Sequence, residues 1–189
     1  ETVQKYLMYL LPIALLTGPF LPDLFISLGG ILFLINSFLK KEYKYFNNTF
    51  FKIFISFYLF LLFNSLISDF VIFSLKSSLF YFRFGVFALL IWSLIDSNKN
   101  FIKYFTFFLL FAYCLAILNG VYQYIYSVNI FGHYVPPNRL LLLASDNAAL
   151  GHYLARIFPL LIGLIYLRLK SSKIYYVLFF FLLISVDVL

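Results

Sequence analysis

The chain has one cysteine, Cys114. No disulfide can form within it, and the redox compartment stays open. Charge is also scarce. Asp, Glu, Lys and Arg make up 11% of the residues, against 64% that are hydrophobic. A soluble domain of 189 residues has too little interior to hide that much apolar surface, so lipid is the expected solvent. Motifs that carry chemistry are missing as well. There is no Gly-rich phosphate loop, no CxxC and no HExxH. His133 and His152 alone do not make a metal site, so neither a metal nor a cofactor is expected. Ser and Asp form no recognisable triad. The net charge is +7, yet most basic residues fall in gaps between apolar runs rather than on one face. That pattern argues against nucleic acid.

What is present is a series of apolar runs near the length that a bilayer core of about 30 Å requires. They cover about 3–17, 24–39, 50–68, 78–95, 101–126 and 148–167, and a seventh starts near 174 and is unfinished at 189. The expected fold class is all-α, a polytopic transmembrane helix bundle of about seven runs with the last incomplete. It reads as a single membrane domain over 1–189, without an internal repeat. The chain starts at Glu1 and stops inside an apolar run, so it is expected to be a fragment of a longer protein.

Basic residues orient the runs. Lys40, Lys41 and Lys44 follow run two, Lys99 and Lys103 follow run four, and Arg168, Lys170 and Lys173 follow run six. The positive-inside rule assigns these gaps to the cytoplasm. The other gaps, at 18–19, 69–76 and 127–147, then face outward. Tyr122, Tyr124 and Tyr126 mark the outer end of run five as an interfacial belt. The remaining Phe and Tyr residues read as lipid-facing bulk.

Three arginines do not fit the cytoplasmic set, and charge inside a membrane is costly enough to mark candidate functional positions. Arg83 is expected within about 10 Å of the outer interface. It could snorkel to headgroups, or bind an anion in a cavity with Lys76 nearby. Arg139 lies in the long outer loop, which is too apolar to be simply solvated. It serves as an interfacial anchor or as a ligand contact. Arg156 falls ten residues after Asp146, about 15 Å along a helix whose N-cap region is Asp146 and Asn147. His152 shares its face, and Pro159 is expected to kink the helix. Arg156 therefore reads as cavity-lining or as structurally paired. Asp146 suits a cap better than a general base.

The stretch 119–164 reads NGVYQYIYSVNIFGHYVPPNRLLLLASDNAALGHYLARIFPLLIGL. It resembles the O-antigen ligase and polymerase family. There, a helix ends at the outer face, a loop with a glycine and an arginine follows, and a short polar cap precedes "GxYLA". The matching residues here are Gly132, Arg139, Asp146, Asn147 and the run Gly151, His152, Tyr153, Leu154, Ala155. Residues 81–84, Tyr-Phe-Arg-Phe, are similar to an arginine-bearing helix upstream in that family. Where the family often has Asn-Pro-Asn, this chain has Ser145-Asp146-Asn147. The resemblance implies a metal-independent glycosyltransferase of the bacterial inner (cytoplasmic) membrane. It would use a polyprenyl-diphosphate-linked glycan donor at the outer face. The acceptor would be lipid A core, in lipopolysaccharide biosynthesis, or a growing glycan. Arg139 and Arg83 would bind the substrate diphosphate. Arg156, His152, Lys76, Asp146, Asn147 and Tyr153 would line the cavity or support it. The family's catalytic histidine would lie beyond Leu189. The competing class is a transporter or flippase of an anionic lipid-linked substrate, which would use the same arginines and carry a broken-helix repeat.

Overall fold

The computed structural model describes residues 2–136, 139–144 and 149–168, the side chain of Arg168 excepted. The seventh run, Lys170, Lys173, Asp146 and Asn147 lie outside the described residues. Among the described residues seven helices form: α1 (Thr2–Thr17), α2 (Phe20–Lys40), α3 (Thr49–Ile67), α4 (Val71–Phe80), α5 (Phe82–Ser97), α6 (Phe101–Tyr126) and α7 (Leu150–Arg168). Among the described residues there is no strand, only an isolated bridge between Val128 and Tyr134. Among the described residues five stretches are long and apolar enough to cross a membrane: Phe20–Lys40, Thr49–Ile67, Val71–Ser97, Phe101–Tyr126 and Leu150–Leu167. This is the architecture of a multi-pass membrane protein. The first expected run, α1, has 16 residues. At 1.5 Å per residue it reaches about 24 Å, short of a full crossing.

Local chemistry explains the boundaries. Gly18 takes φ 122 between α1 and α2, a region open to glycine at little cost. Asn48 caps α3, its side chain accepting from the Phe51 amide at 2.8 Å. The end of α2 is a Schellman turn. The Glu42 amide donates to the Ser37 carbonyl at 3.0 Å, and the Lys41 amide to the Phe38 carbonyl at 3.3 Å. Lys41 sits at its left-handed position with φ 55. A side chain there costs about 1 kcal/mol relative to glycine.

The chain divides into two compact units. The first comprises Glu1–Leu7 and Leu24–Lys99, the second Met8–Asp23 and Asn100–Leu189. In the first unit, α3 packs against α4 and α5. Serines line the α3–α4 contact, with Ser65 paired to Ser78 and Ser68 to Ser74. Small hydroxyls let two apolar helices approach closely without leaving a polar group bare. Nearly all the other side chains of this hairpin are exposed or half-exposed, as expected for a lipid-facing surface. Gly85 on α5 faces the ring of Phe54, where a Cβ would fall 2.1 Å from the Phe54 Cε1 atom. In the second unit, α6 packs on α7 around Leu109, Ala112, Tyr113, Ala116, Leu154 and Leu161.

Two expectations change. The outward gap 69–76 is mostly helix, since α4 begins at Val71. Its one serine, Ser74, pairs with Ser68 at the C-cap of α3. The fourth run is therefore one span that tightens at Tyr81, where turn-type bonds run from the Tyr81 amide to Ser78 and from the Phe84 amide to Tyr81. The aromatics are also more than lipid-facing bulk. Tyr9, Phe33, Tyr45, Phe101 and Tyr113 are buried.

Candidate functional site

The outer loop of the second unit is where irregular backbone meets an apolar core. The α6 helix ends at Ser127, which takes φ 56 and donates its amide to the Gln123 carbonyl at 2.9 Å. A tight hairpin follows. The Asn129 side-chain oxygen accepts from the Phe131 amide at 3.0 Å and the His133 amide at 2.9 Å. Gly132 takes φ 84 inside it, the second position where the backbone needs glycine.

The chain then returns as a non-helical strap over 139–144. Leu141 and Leu142 are buried, at 2% and 7% exposure. Buried non-helical backbone must have its amides and carbonyls satisfied by protein, because lipid offers no hydrogen bond. Three side-chain amides do this. Gln123 accepts from the Leu141 amide at 2.7 Å and donates to the Leu141 carbonyl at 2.9 Å, a two-bond pairing like that of a neighbouring strand. Asn119 also donates to the Leu141 carbonyl, at 3.2 Å. Asn129 donates to the carbonyls of Leu143, at 3.3 Å, and Leu142, at 3.5 Å. The Leu143 amide bonds the Leu16 carbonyl at 2.9 Å, and the Leu150 amide bonds the Leu140 carbonyl at 3.3 Å. Asn119, Gln123 and Asn129 are 0%, 2% and 1% exposed, so the clamp is dry.

Arg139 stands at the start of this strap. It is exposed, two residues before the clamped Leu141, and its amide donates to the Pro136 carbonyl at 3.3 Å. The backbone beneath it is thus held on one side by that bond and on the other by Gln123. A guanidinium carried this way loses less freedom when it meets an oxyanion than one on a slack loop.

The other expected residues are placed as follows. On α7, Leu150, Leu154, Leu161 and Ile165 face the core, while His152 and Arg156 share the opposite, exposed face. Arg156 is six residues after Leu150, about 9 Å along the helix rather than 15 Å. Pro159 lies within the continuous helix α7. Tyr153 is half-buried, and its hydroxyl donates to the Pro12 carbonyl at 3.0 Å, tying α7 to the second half of α1. In the first unit, Lys76 is exposed on α4. Arg83 is the second residue of α5, directly after the turn at Tyr81, with its Nε buried and its guanidinium 5.0 Å from the Phe84 ring centre. It is 12 residues from Val71, about 18 Å along the helical path, and 14 from Ser97. Because the gap before it is helical, Arg83 falls near the middle of the apolar stretch Val71–Ser97 by residue count.

Among the described residues no group of His, Cys, Asp and Glu could hold a metal ion. The residues that sequence reasoning passed over are Asn119, Gln123 and Asn129. Two amides at i and i+4 inside an otherwise apolar run were the available signal, since such a pair on one helix face needs partners. No family model, curated protein or solved structure matches this chain.

Proposed function

We propose that this chain is part of a glycosyltransferase of the bacterial inner membrane, of the O-antigen ligase or polymerase kind, built on about seven membrane runs. In this reading a glycan passes from a polyprenyl-diphosphate donor to lipid A core or to a growing glycan. The bond between the sugar C1 and the diphosphate oxygen breaks. A bond from the acceptor hydroxyl oxygen to C1 forms, and the hydroxyl proton passes to a base. The polyprenyl diphosphate leaves with the added negative charge. Arginine stays protonated in a low dielectric and pairs with phosphate oxygens through two N–H groups, so it can stabilise that leaving group without a metal. The observation that carries the reading is Arg139, exposed on a strap whose next residues are fixed by buried amides. Arg83 is the second arginine candidate and is tested by itself.

The test expresses the complete reading frame in cells that lack their own O-antigen ligase, with surface lipopolysaccharide as the readout. Arg139→Ala is expected to abolish glycan attachment, a loss of about a hundredfold or more, while membrane insertion is unchanged. Arg139→Lys keeps the charge but not the fork and should fall between. Normal transfer by Arg139→Ala would remove this residue from the site. A polymer-length assay separates the polymerase form from the ligase.

One observation favours the transporter reading. In the span Val71–Ser97 the hydrogen bonding tightens to the i→i−3 kind at Tyr81, two residues before Arg83, and irregular helices recur at substrate sites in transporters. Uptake or flipping of an anionic lipid-linked glycan that depends on Arg83 and not on Arg139 would establish it.

A further inference from the structure

Two recesses meet at the end of α2 in the first unit, and Tyr43 lines both. One, of about 510 Å³, is apolar and lined by Leu34, Ile35, Phe38, Leu39 and Phe46. The other, of about 470 Å³, is polar and bounded by Lys41, Glu42, Lys44 and Asp96. The lysine pattern assigns this end of the helices to the cytoplasmic headgroup level. An apolar recess beside a charged one at that level matches an amphiphile with its chain in the first and its headgroup in the second.

The charges select the headgroup. Two ammonium groups and two carboxylates bound the polar recess, so its lining is balanced in sign. A purely anionic headgroup would meet Glu42 and Asp96 as well as the lysines. A headgroup with both a phosphate and a primary ammonium pairs with both kinds of group, and its three N–H donors suit carboxylate oxygens. Asp96 has capacity to spare. Its contact with Lys44 is long, 3.7 Å, and both side chains are open to solvent, at 43% and 64% exposure. The Schellman turn fixes the backbone of Lys41 and Glu42, and a lysine occupies the left-handed position that glycine would fill at less cost. A non-glycine residue held there points to a use for its side chain.

We propose that these two recesses bind one zwitterionic phospholipid of the phosphatidylethanolamine type. Lys41 and Lys44 receive the phosphate, Glu42 and Asp96 receive the ammonium, and an acyl chain lies along Leu34, Phe38 and Phe46. The site uses none of the residues of the Arg139 strap and does not depend on the glycosyltransferase reading.

The test uses the purified protein in detergent, delipidated, then titrated with phosphatidylethanolamine, phosphatidylglycerol or phosphatidylcholine of one chain composition. Native mass spectrometry reads the bound lipid. Phosphatidylethanolamine is expected to bind up to about fivefold tighter than either competitor, the most that one solvent-exposed ion pair supplies. Glu42→Gln with Asp96→Asn should erase that preference, and Lys41→Ala should weaken all three phospholipids alike. Glu42→Gln alone alters only an exposed turn residue, so it keeps the test valid if the double variant folds poorly, and it should reduce the preference. Equal or tighter binding of phosphatidylglycerol would overturn the proposal, as would a preference that Glu42→Gln and the double variant leave intact.

Discussion

The two long connections of this chain are held by different physics. The turn region after α2, residues 41–48, lies at a wet boundary. Its backbone can bond water, and what anchors it is ring packing. Tyr45 is buried against Phe33 and Trp92, and Phe46 stacks on Phe33 at 5.8 Å. The strap at 139–144 lies against an apolar core instead. Its backbone has no water to turn to, and Asn119, Gln123 and Asn129 supply the missing partners. Apolar anchoring tolerates changes of polar atoms but not of volume. Amide anchoring tolerates changes of volume but not of polar atoms. A connection near water can be anchored by shape alone, whereas one inside the apolar layer needs bonds with direction.

The largest expected effect breaks the first anchor by volume. Tyr45→Ala should destabilise the first unit by about 3 kcal/mol, the usual range for deleting a buried ring. Tyr45→Phe, which keeps the ring, should cost much less. Thermal unfolding in a single detergent reads both. Equal losses from the two variants would mean that the hydroxyl, not the ring, holds this turn.

The second prediction breaks the strap by polarity at constant size. Gln123→Met preserves length and bulk but leaves the buried Leu141 amide without its acceptor. The expected loss is about 2 kcal/mol, the cost of a buried donor left unsatisfied. Protease cleavage or cysteine labelling at 139–144 should rise with it. If the lost bonds matter only locally, Arg139-dependent activity should fall even where the melting temperature moves little. A Gln123→Met protein with an unaltered strap and an unaltered melting temperature would sink the clamp argument.

The contrast also explains what the sequence could and could not convey. Helices α3, α6 and α7 were legible to within two residues, because long apolar runs bounded by polar gaps fix where a helix starts and stops. The tightened turn at Tyr81 was not legible. The segment 69–76 looks like a loop in one dimension, whereas in the fold Ser74 pairs with Ser68 and Ser78, at the start of the expected run, pairs with Ser65 on α3. The position of Arg83 shifted for the same reason. On α7 the shared face of His152 and Arg156 followed from helical spacing, but which side the core would take did not. That depended on Leu150, Leu154, Leu161 and Ile165 outweighing the polar stripe. The clamp was the hardest to foresee. Asn119 and Gln123 sit four apart on α6, but their partner, the Leu141 backbone, lies 18 residues or more further on, and backbone groups carry no sequence signature.

The smallest expected effect belongs to the ion pair at the edge of the α2 turn. The Tyr45 side chain, ahead of the Asp96 carboxylate, raises the Lys44 ammonium above the ordinary lysine value of 10.5. A raised basic group contributes stability that is fully present below the unfolded value and is lost as pH climbs through the folded one. The window is therefore alkaline, opening near pH 10.5. Lys44 is largely open to solvent, so its contribution is small and screened by salt. Lys44→Gln should melt within scan error of the wild type at pH 7 in moderate salt. Whatever gap appears at low salt should be constant up to about pH 10 and close above it. A gap that instead widens with alkaline pH would mean that the Lys44 ammonium opposes folding, contrary to the side on which Tyr45 and Asp96 place it.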